Sequence, residues 1–302
     1  MHGHLNDRVL SHYLEFGLFT YPALYRENLA GTLPDNVRQI GQLVKAQIIH
    51  QVSLKNYEVA STEELEQGTT TKIPWFRQPE DANLTTAAAM LAELYRRDER
   101  GFVRDRAVKD KLILTCRPVS ILMASILKSK GIPARVRSGF ASYLPGYKAA
   151  RVDHWISQYW DRQQKRWISV DVDGSEVIET FDPYDVPSNV FDFSADAWID
   201  SRHGRVDPKE FWNAKGEAGL IFIAWELFYD FHCLMNSEII YPHHPEMSLP
   251  EVFPNLTEDE LTQIDELAKL MLKPDDNFEK LERIWQSSIR FRRLKGTLLY
   301  NS

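Results

Sequence analysis

Cysteine is scarce in this chain, which carries Cys116 and Cys233 in 302 residues. Two cysteines build neither a disulfide framework nor a four-cysteine zinc site, and a reducing compartment is the natural setting. Long apolar runs are missing too. No stretch approaches the ~18 apolar residues of a membrane helix, and no charged N-terminal region leads into an apolar run and cleavage site. A cytoplasmic protein with no membrane partner is the expectation. Nor is positive charge in excess: 36 Lys and Arg stand against 43 Asp and Glu, a formal net charge of -7. That balance, with no long basic block before the last helix, argues against a nucleic-acid partner. Internal repeats and low-complexity segments are absent as well.

What is present suffices for a full core. At 43% hydrophobic residues the chain can form one large or two modest domains. Its organising stretch runs from Thr115 to Asp173 and contains Cys116, His154 and Asp171. Val119, Leu122, Met123, Ile126 and Leu127 recur at the spacing of a helix with one buried face. Pro118, which has no amide hydrogen, fits a first turn and sets the helix start at about Thr115 to Arg117, with Thr115 the candidate cap. Lys128 and Lys130 fall in the last turn, and Gly131 offers a left-handed stop. Cys116 would then lie at the positive end of the helix dipole, where a thiolate is favoured. The plainer alternative is a small core hydrophobe.

After the helix, Arg135 to Phe140 alternates as a strand, and residues 153–160 and 166–171 read as two more, joined by a polar turn at 161–164. If Trp160 pairs with Lys165, His154 faces Asp171 on the same side of the sheet, about 5 Å apart at Cβ. A carboxylate there holds one imidazole tautomer. Order and setting suggest a thiol nucleophile, its base and the base's orienter. The alternatives are a structural histidine and a turn-capping carboxylate. Asp173 stays a rival to Asp171, since it follows on the same strand face.

These elements resemble the transglutaminase-like core. The resemblance is carried by Leu114-Thr115-Cys116, Lys130-Gly131-Ile132-Pro133-Ala134-Arg135, Ser138-Gly139-Phe140, His154-Trp155 with Tyr159, Arg166-Trp167 and Val170-Asp171. It implies an α+β, papain-like arrangement with the cysteine helix packed on an antiparallel sheet. It also implies Cys116 as nucleophile, His154 as general base and then acid, and Asp171 as the orienting carboxylate. One departure is visible. Many bacterial members have a glycine shortly before the cysteine and a small or acidic residue after Cys-Arg, where this chain has Leu114-Thr115 and Pro118.

Around that core three parts are expected: 1–100, helical and packing on it; 101–195, the catalytic core itself; and 196–302, a mainly helical extension. A first helix is allowed within Leu5 to Phe19, and a firmer one follows Asp35 as cap, with Val37, Ile40, Leu43, Val44 and Ile48 buried. Ser53 to Gln78 reads as a long loop, and an Ala-rich helix starts at Thr85 or Thr86. Val172 to Trp198 reads as a surface loop. Phe211 to Ile240 is too continuously apolar for a surface helix, so a buried one with a structural Cys233 is expected. Thr257-Glu258-Asp259-Glu260 is a capping box. The last helix ends in Arg290, Arg292, Arg293 and Lys295, a basic end suited to a helix C-terminus first and to an acidic partner second.

No metal or cofactor is expected. Asp171-Val172-Asp173-Gly174 has its glycine at the fourth position of a would-be calcium loop instead of the sixth, and Asp182 stands where such a loop needs Glu. His243-His244 reads as a solvated pair with nothing nearby to complete zinc spacing. The chemistry expected is attack of a thiolate on an amide or thioester carbonyl, with Cys116 N–H as one oxyanion donor and Trp75 a guess for the second. The substrate would be a peptide, glutamine or other amide, and the acyl-enzyme would pass to water or an amine. Two other readings remain: a cysteine peptidase with the same triad, and a catalytically silent module that binds a peptide or partner.

Overall fold

The computed structural model describes residues 7–50, 77, 80–144 and 151–294. Along them run α1 (Asp7–Leu14), α2 (Arg26–Thr32), α3 (Val37–Ala46), β1 (Ile48–His50), α4 (Glu80–Asn83), α5 (Ala87–Arg97), β2 (Leu112–Leu114) and α6 (Cys116–Ser129). Then follow β3 (Ala134–Ala141), β4 (Arg151–Asp161), β5 (Arg166–Val170), β6 (Phe191–Phe193), α7 (Ser194–Arg202), β7 (Phe211–Trp212), α8 (Leu220–Leu234), α9 (Glu258–Met271) and α10 (Phe278–Ser287). The class is α+β, as expected. Most of the loop read at Ser53 to Gln78 lies outside the described residues, as do Trp75, Lys295 and the start of the first helix at Leu5. Among the described residues no helix is long and apolar enough to cross a membrane.

Two compact units divide the chain, one of Met1–Glu15, Arg135–Trp155 and Pro187–Ser302, the other of Phe16–Ala134 and Ile156–Val186. Each joins separated stretches, so strand β4 contributes its first half to the first unit and its second half to the second.

The second unit is built on α6. Every residue from Cys116 to Lys128 is buried, including Ser120, Ser125 and Lys128, so this is a central helix enclosed on all sides and not one with a single buried stripe. Gly131 ends it at φ +72°. β1 and β2 pair in parallel, Ile48 opposite Leu112. This takes Ile48 out of the α3 stripe, because the helix ends at Gln47: its backbone N–H donates to Val44 O, its side-chain Nε2 donates to the carbonyls of Leu43 and Val103, and Arg106 Nε donates to its Oε1 at 2.5 Å. Asn36 caps α3 where Asp35 was expected, accepting from Gln39 N at 3.1 Å, while Asp35 pairs with Lys130 at 2.9 Å. Thr86 caps α5 through Ala89 N.

The β4–β5 hairpin pairs Trp160 with Trp167 and Asp161 with Arg166, two residues away from the pairing with Lys165 expected from sequence. The turn explains the shift. Asp161 Oδ1 accepts from the amides of Gln163 and Gln164, both at 2.8 Å, and Lys165 takes a left-handed φ of +52°, so Asp161 closes the ladder and Lys165 belongs to the loop. An even shift leaves each side chain on its expected face. The ladder ends at Ser157 opposite Val170, so it contains no direct pair of His154 with Asp171. Ser157 Oγ donates to Ser120 O at 3.1 Å, tying the hairpin to α6.

In the first unit β3 lies between β4 and β6. Gly139 stands opposite Phe193, and a Cβ on it would come within 2.3 Å of Asp192 O, which is why the strands approach so closely there. The stretch expected as surface loop instead enters β6 and α7, where Trp198 is fully buried and its indole donates to Asp265 at 2.7 Å. Buried α8 is shorter than the apolar run, since Phe211–Trp212 is strand. The capping box at Thr257 forms. Arg290 does not cap a helix end but pairs with Glu246 at 2.7 Å and Glu260 at 2.5 Å.

His232 on α8 is enclosed among Phe231, Trp285 and the carbonyls of Ser237 and Phe291. Burial pushes its pKa down to about 4, outweighing the two carbonyls. A histidine held neutral in the fold protonates first in the unfolded chain. Its contribution is therefore complete above about 6.5 and is lost progressively as pH falls toward 4. Urea melts should show His232→Gln losing less stability between pH 7 and pH 4.5 than the parent, by roughly 2 kcal/mol. Equal losses would show that this ring is not the titrating group.

Candidate active site

Cys116 is reached through β2, a strand whose Leu112, Ile113 and Leu114 are wholly buried. One edge of β2 pairs with β1. Among the described residues the other carries no strand; two carboxylates from α4 take its amides, Ile113 N donating to Glu80 Oε2 at 3.0 Å and Thr115 N to Asp81 Oδ1 at 2.6 Å. Glu80 is itself gripped by Arg77 at 2.6 Å and Arg97 at 2.7 Å.

Thr115 occupies the cap position of α6, as expected, but its side chain makes no cap bond. Pro118 sits at the third helical position and offers no N–H, so the hydroxyl turns away and donates to Asp81 Oδ1 at 2.8 Å. Cys116 is the first residue of the helix and is 6% exposed. The next residue, Arg117, is buried, with its guanidinium over the Phe19 ring at 4.8 Å and one nitrogen 3.4 Å from Thr85 O. Helix dipole and buried cation both favour the thiolate form of a neighbouring cysteine.

Asp171 is the first residue after β5 and is fully buried. Its amide donates to Pro183 O at 2.8 Å, and its Oδ1 accepts from Gly174 N at 2.7 Å. A Cβ on Gly174 would lie 2.7 Å from Asp171 Oδ2, so glycine there leaves room for the carboxylate. Asp173 does not continue the strand: its backbone is helical, at the start of the 3-10 turn Gly174–Glu176. Its carboxylate lies 3.2 Å from His50 Nε2 and 3.4 Å from Lys45 Nζ. Asp173 is thus engaged with two cationic or ionisable partners that the sequence did not single out.

His154 lies in the first unit, on β4, 3% exposed, with the Tyr143 ring edge-on at 6.3 Å. Beside it, burial pushes the Asp153 carboxyl up to about 6, partly opposed by the His154 charge. Glu226, which accepts a short hydrogen bond from the Ser138 hydroxyl, is also pushed well up by burial. Cys116 and Asp171 belong to the second unit.

Sequence reasoning missed Glu80 and Asp81, which follow a stretch read as loop and have no periodic signature. His243-His244 is not a solvated pair. His244 stacks on Trp225 at 4.4 Å, hydrogen-bonds Tyr229 Oη at 3.0 Å, and has its pKa pushed down to about 4 by burial. Among the described residues no three His, Cys, Asp or Glu side chains cluster as a metal site. A cavity of about 700 Å³ in the second unit is lined by Lys130, Tyr159, Asp182 and their neighbours, beyond the C-terminal end of α6 from Cys116. Neither Cys116 nor Asp171 lines it.

Residues 105–172 match the family model of the transglutaminase-like superfamily, a span that contains Cys116, His154 and Asp171. No curated protein matches the chain. Among solved structures it is similar to a candidate cysteine protease from Cytophaga hutchinsonii, at 14% identity and a TM-score of 0.36, over 64% of this chain and 50% of that one. The chain therefore spans half the length of that protein. Over residues 105–172 the chain is therefore similar to the core of the transglutaminase-like superfamily.

Proposed function

We propose that the protein is a cysteine-dependent amide hydrolase or acyltransferase working through a thioester acyl-enzyme, with Cys116 as nucleophile, His154 as base and then acid, and Asp171 as the carboxylate that orients it. The observation that carries this reading is the position of Cys116 as the first residue of a buried helix inside the family-matched segment. The engagement of Asp173 with Lys45 and His50 supports Asp171 over its rival.

In this reading His154 takes the thiol proton and Cys116 Sγ attacks an amide carbonyl carbon. The C–S bond forms as the carbonyl π pair moves onto oxygen, where Cys116 N–H donates to the oxyanion. Collapse breaks the C–N bond. The amine departs with the proton that His154 returns, leaving a thioester. Water then yields the acid, or a second amine yields a new amide, in both cases regenerating the thiol.

The first test is iodoacetamide alkylation of Cys116 against pH, read by mass spectrometry, in the parent and in His154→Ala. The parent thiol should titrate well below the ordinary value of ~8.5, and the variant should move back toward it by about one unit or more. An ordinary thiol in both proteins would sink the catalytic reading and leave a peptide-binding module. Incubating a glutamine-containing peptide with and without a primary amine then separates transfer, seen as amine incorporation, from peptidase-type hydrolysis.

A further inference from the structure

We propose that Asp81 is a positioning residue for the nucleophile: by holding Thr115 it sets the direction of the Cys116 N–H and thereby the acylation step. This rests on the acyl-enzyme reading above. A single oxygen of Asp81 accepts both protons that Thr115 can donate, N–H at 2.6 Å and Oγ1–H at 2.8 Å. Together they fix the backbone and the hydroxyl rotamer of the residue before the nucleophile. The plane of the peptide linking Thr115 to Cys116 then follows from the Thr115 ψ of -179°. The carbonyl of that same peptide accepts from Val119 N at 3.4 Å. The amide on its other side is the proposed oxyanion donor, so a rotation about Thr115 would turn the donor away from the developing charge.

The anchor is itself held. Glu80, next to Asp81 on α4, bonds Ile113 N and is gripped by Arg77 and Arg97, while Arg97 also donates to Lys111 O at 2.7 Å. Two adjacent carboxylates thus hold the strand edge that leads to Cys116. Asp81 differs from Glu80 in reaching the residue bonded to the nucleophile. It touches no reacting atom and contributes through Thr115.

The test compares two reactions of the same sulfur in the full-length protein. With p-nitrophenyl acetate, the Cys116 thiolate forms a C–S bond to the acetyl carbon and p-nitrophenolate leaves with the C–O pair, a step that needs the oxyanion donor. Iodoacetamide alkylation, in which iodide leaves a saturated carbon, does not. Asp81→Ala should slow the p-nitrophenolate burst by about 10- to 100-fold while alkylation stays within about threefold. Asp81→Asn keeps a carbonyl oxygen for both Thr115 donors and should restore the burst to within about threefold of the parent. Should Asp81→Ala fail to fold, Thr115→Val keeps the backbone bond, loses the hydroxyl bond and should slow the burst by about threefold to tenfold with alkylation unchanged.

A proportional fall in both reactions would mean that Asp81 supports the fold alone, and an unchanged burst would remove it from the mechanism; either overturns the proposal while the acyl-enzyme reading stands. A parent protein that alkylates as an ordinary thiol and gives no burst would overturn that reading, and this proposal with it.

Discussion

Cys116→Ala should abolish the p-nitrophenyl acetate burst, a loss of roughly 10⁴- to 10⁶-fold in acylation rate, with the melting transition almost unmoved. The two halves of that expectation have separate causes. Nucleophilic catalysis cannot proceed through a methyl group, and residual turnover would come from oxyanion stabilisation and binding alone. Removing one sulfur from a position that is 6% exposed leaves a small void, worth at most about 1 kcal/mol. The experiment is clean because Cys233 is fully buried within α8. Native parent protein should take up one iodoacetamide by mass, the variant none, and unfolded parent two. A variant retaining more than a tenth of the burst would show that another group is acylated.

Asp230→Ala should destabilise the first unit by about 3 to 5 kcal/mol. Arg137 donates to both oxygens of Asp230 at 2.8 Å, and Ser138 N donates to one of them at 3.1 Å. The arginine side chain is 3% exposed and the aspartate 0%. Taking such a pair out of water costs about what the pair returns, so its presence contributes little net stability. Cutting away one member is another matter, because the guanidinium stays buried, over the Phe193 ring at 4.2 Å, without its counter-charge. Burial by itself disfavours the charged Arg137, while the Asp230 charge and hydrogen bonds hold its pKa above the ordinary value. Urea melts followed by tryptophan fluorescence would measure the loss. A change below about 1 kcal/mol would mean that the unit relaxes to hydrate Arg137.

How much of this could be read along the chain varies with the range of the interaction. Local rules gave α6, since Pro118 and Gly131 act through their own backbone. They gave the Thr257 box and a start at Thr85 or Thr86 for α5 for the same reason, each cap being closed by residues three positions apart, and the folded chain uses Thr86. The hairpin was legible as strands and faces, but its register was not. That depended on whether Asp161 would end the ladder or begin the turn, and the choice fell to its two hydrogen bonds and to Lys165 adopting a positive φ.

The sequence by itself determined that Cys116 opens a helix, because periodicity, proline and glycine act over a few residues, while the α+β class followed from the resemblance to the transglutaminase-like core. Tertiary structure decided the rest. Whether Thr115 capped its own helix turned on Asp81, 34 positions earlier, which draws off the hydroxyl. That Asp173 meets a lysine turned on Lys45, 128 positions away along the chain. Short polar side chains bond whatever donor the folded chain brings within about 3 Å, and no pattern along the sequence encodes that distance.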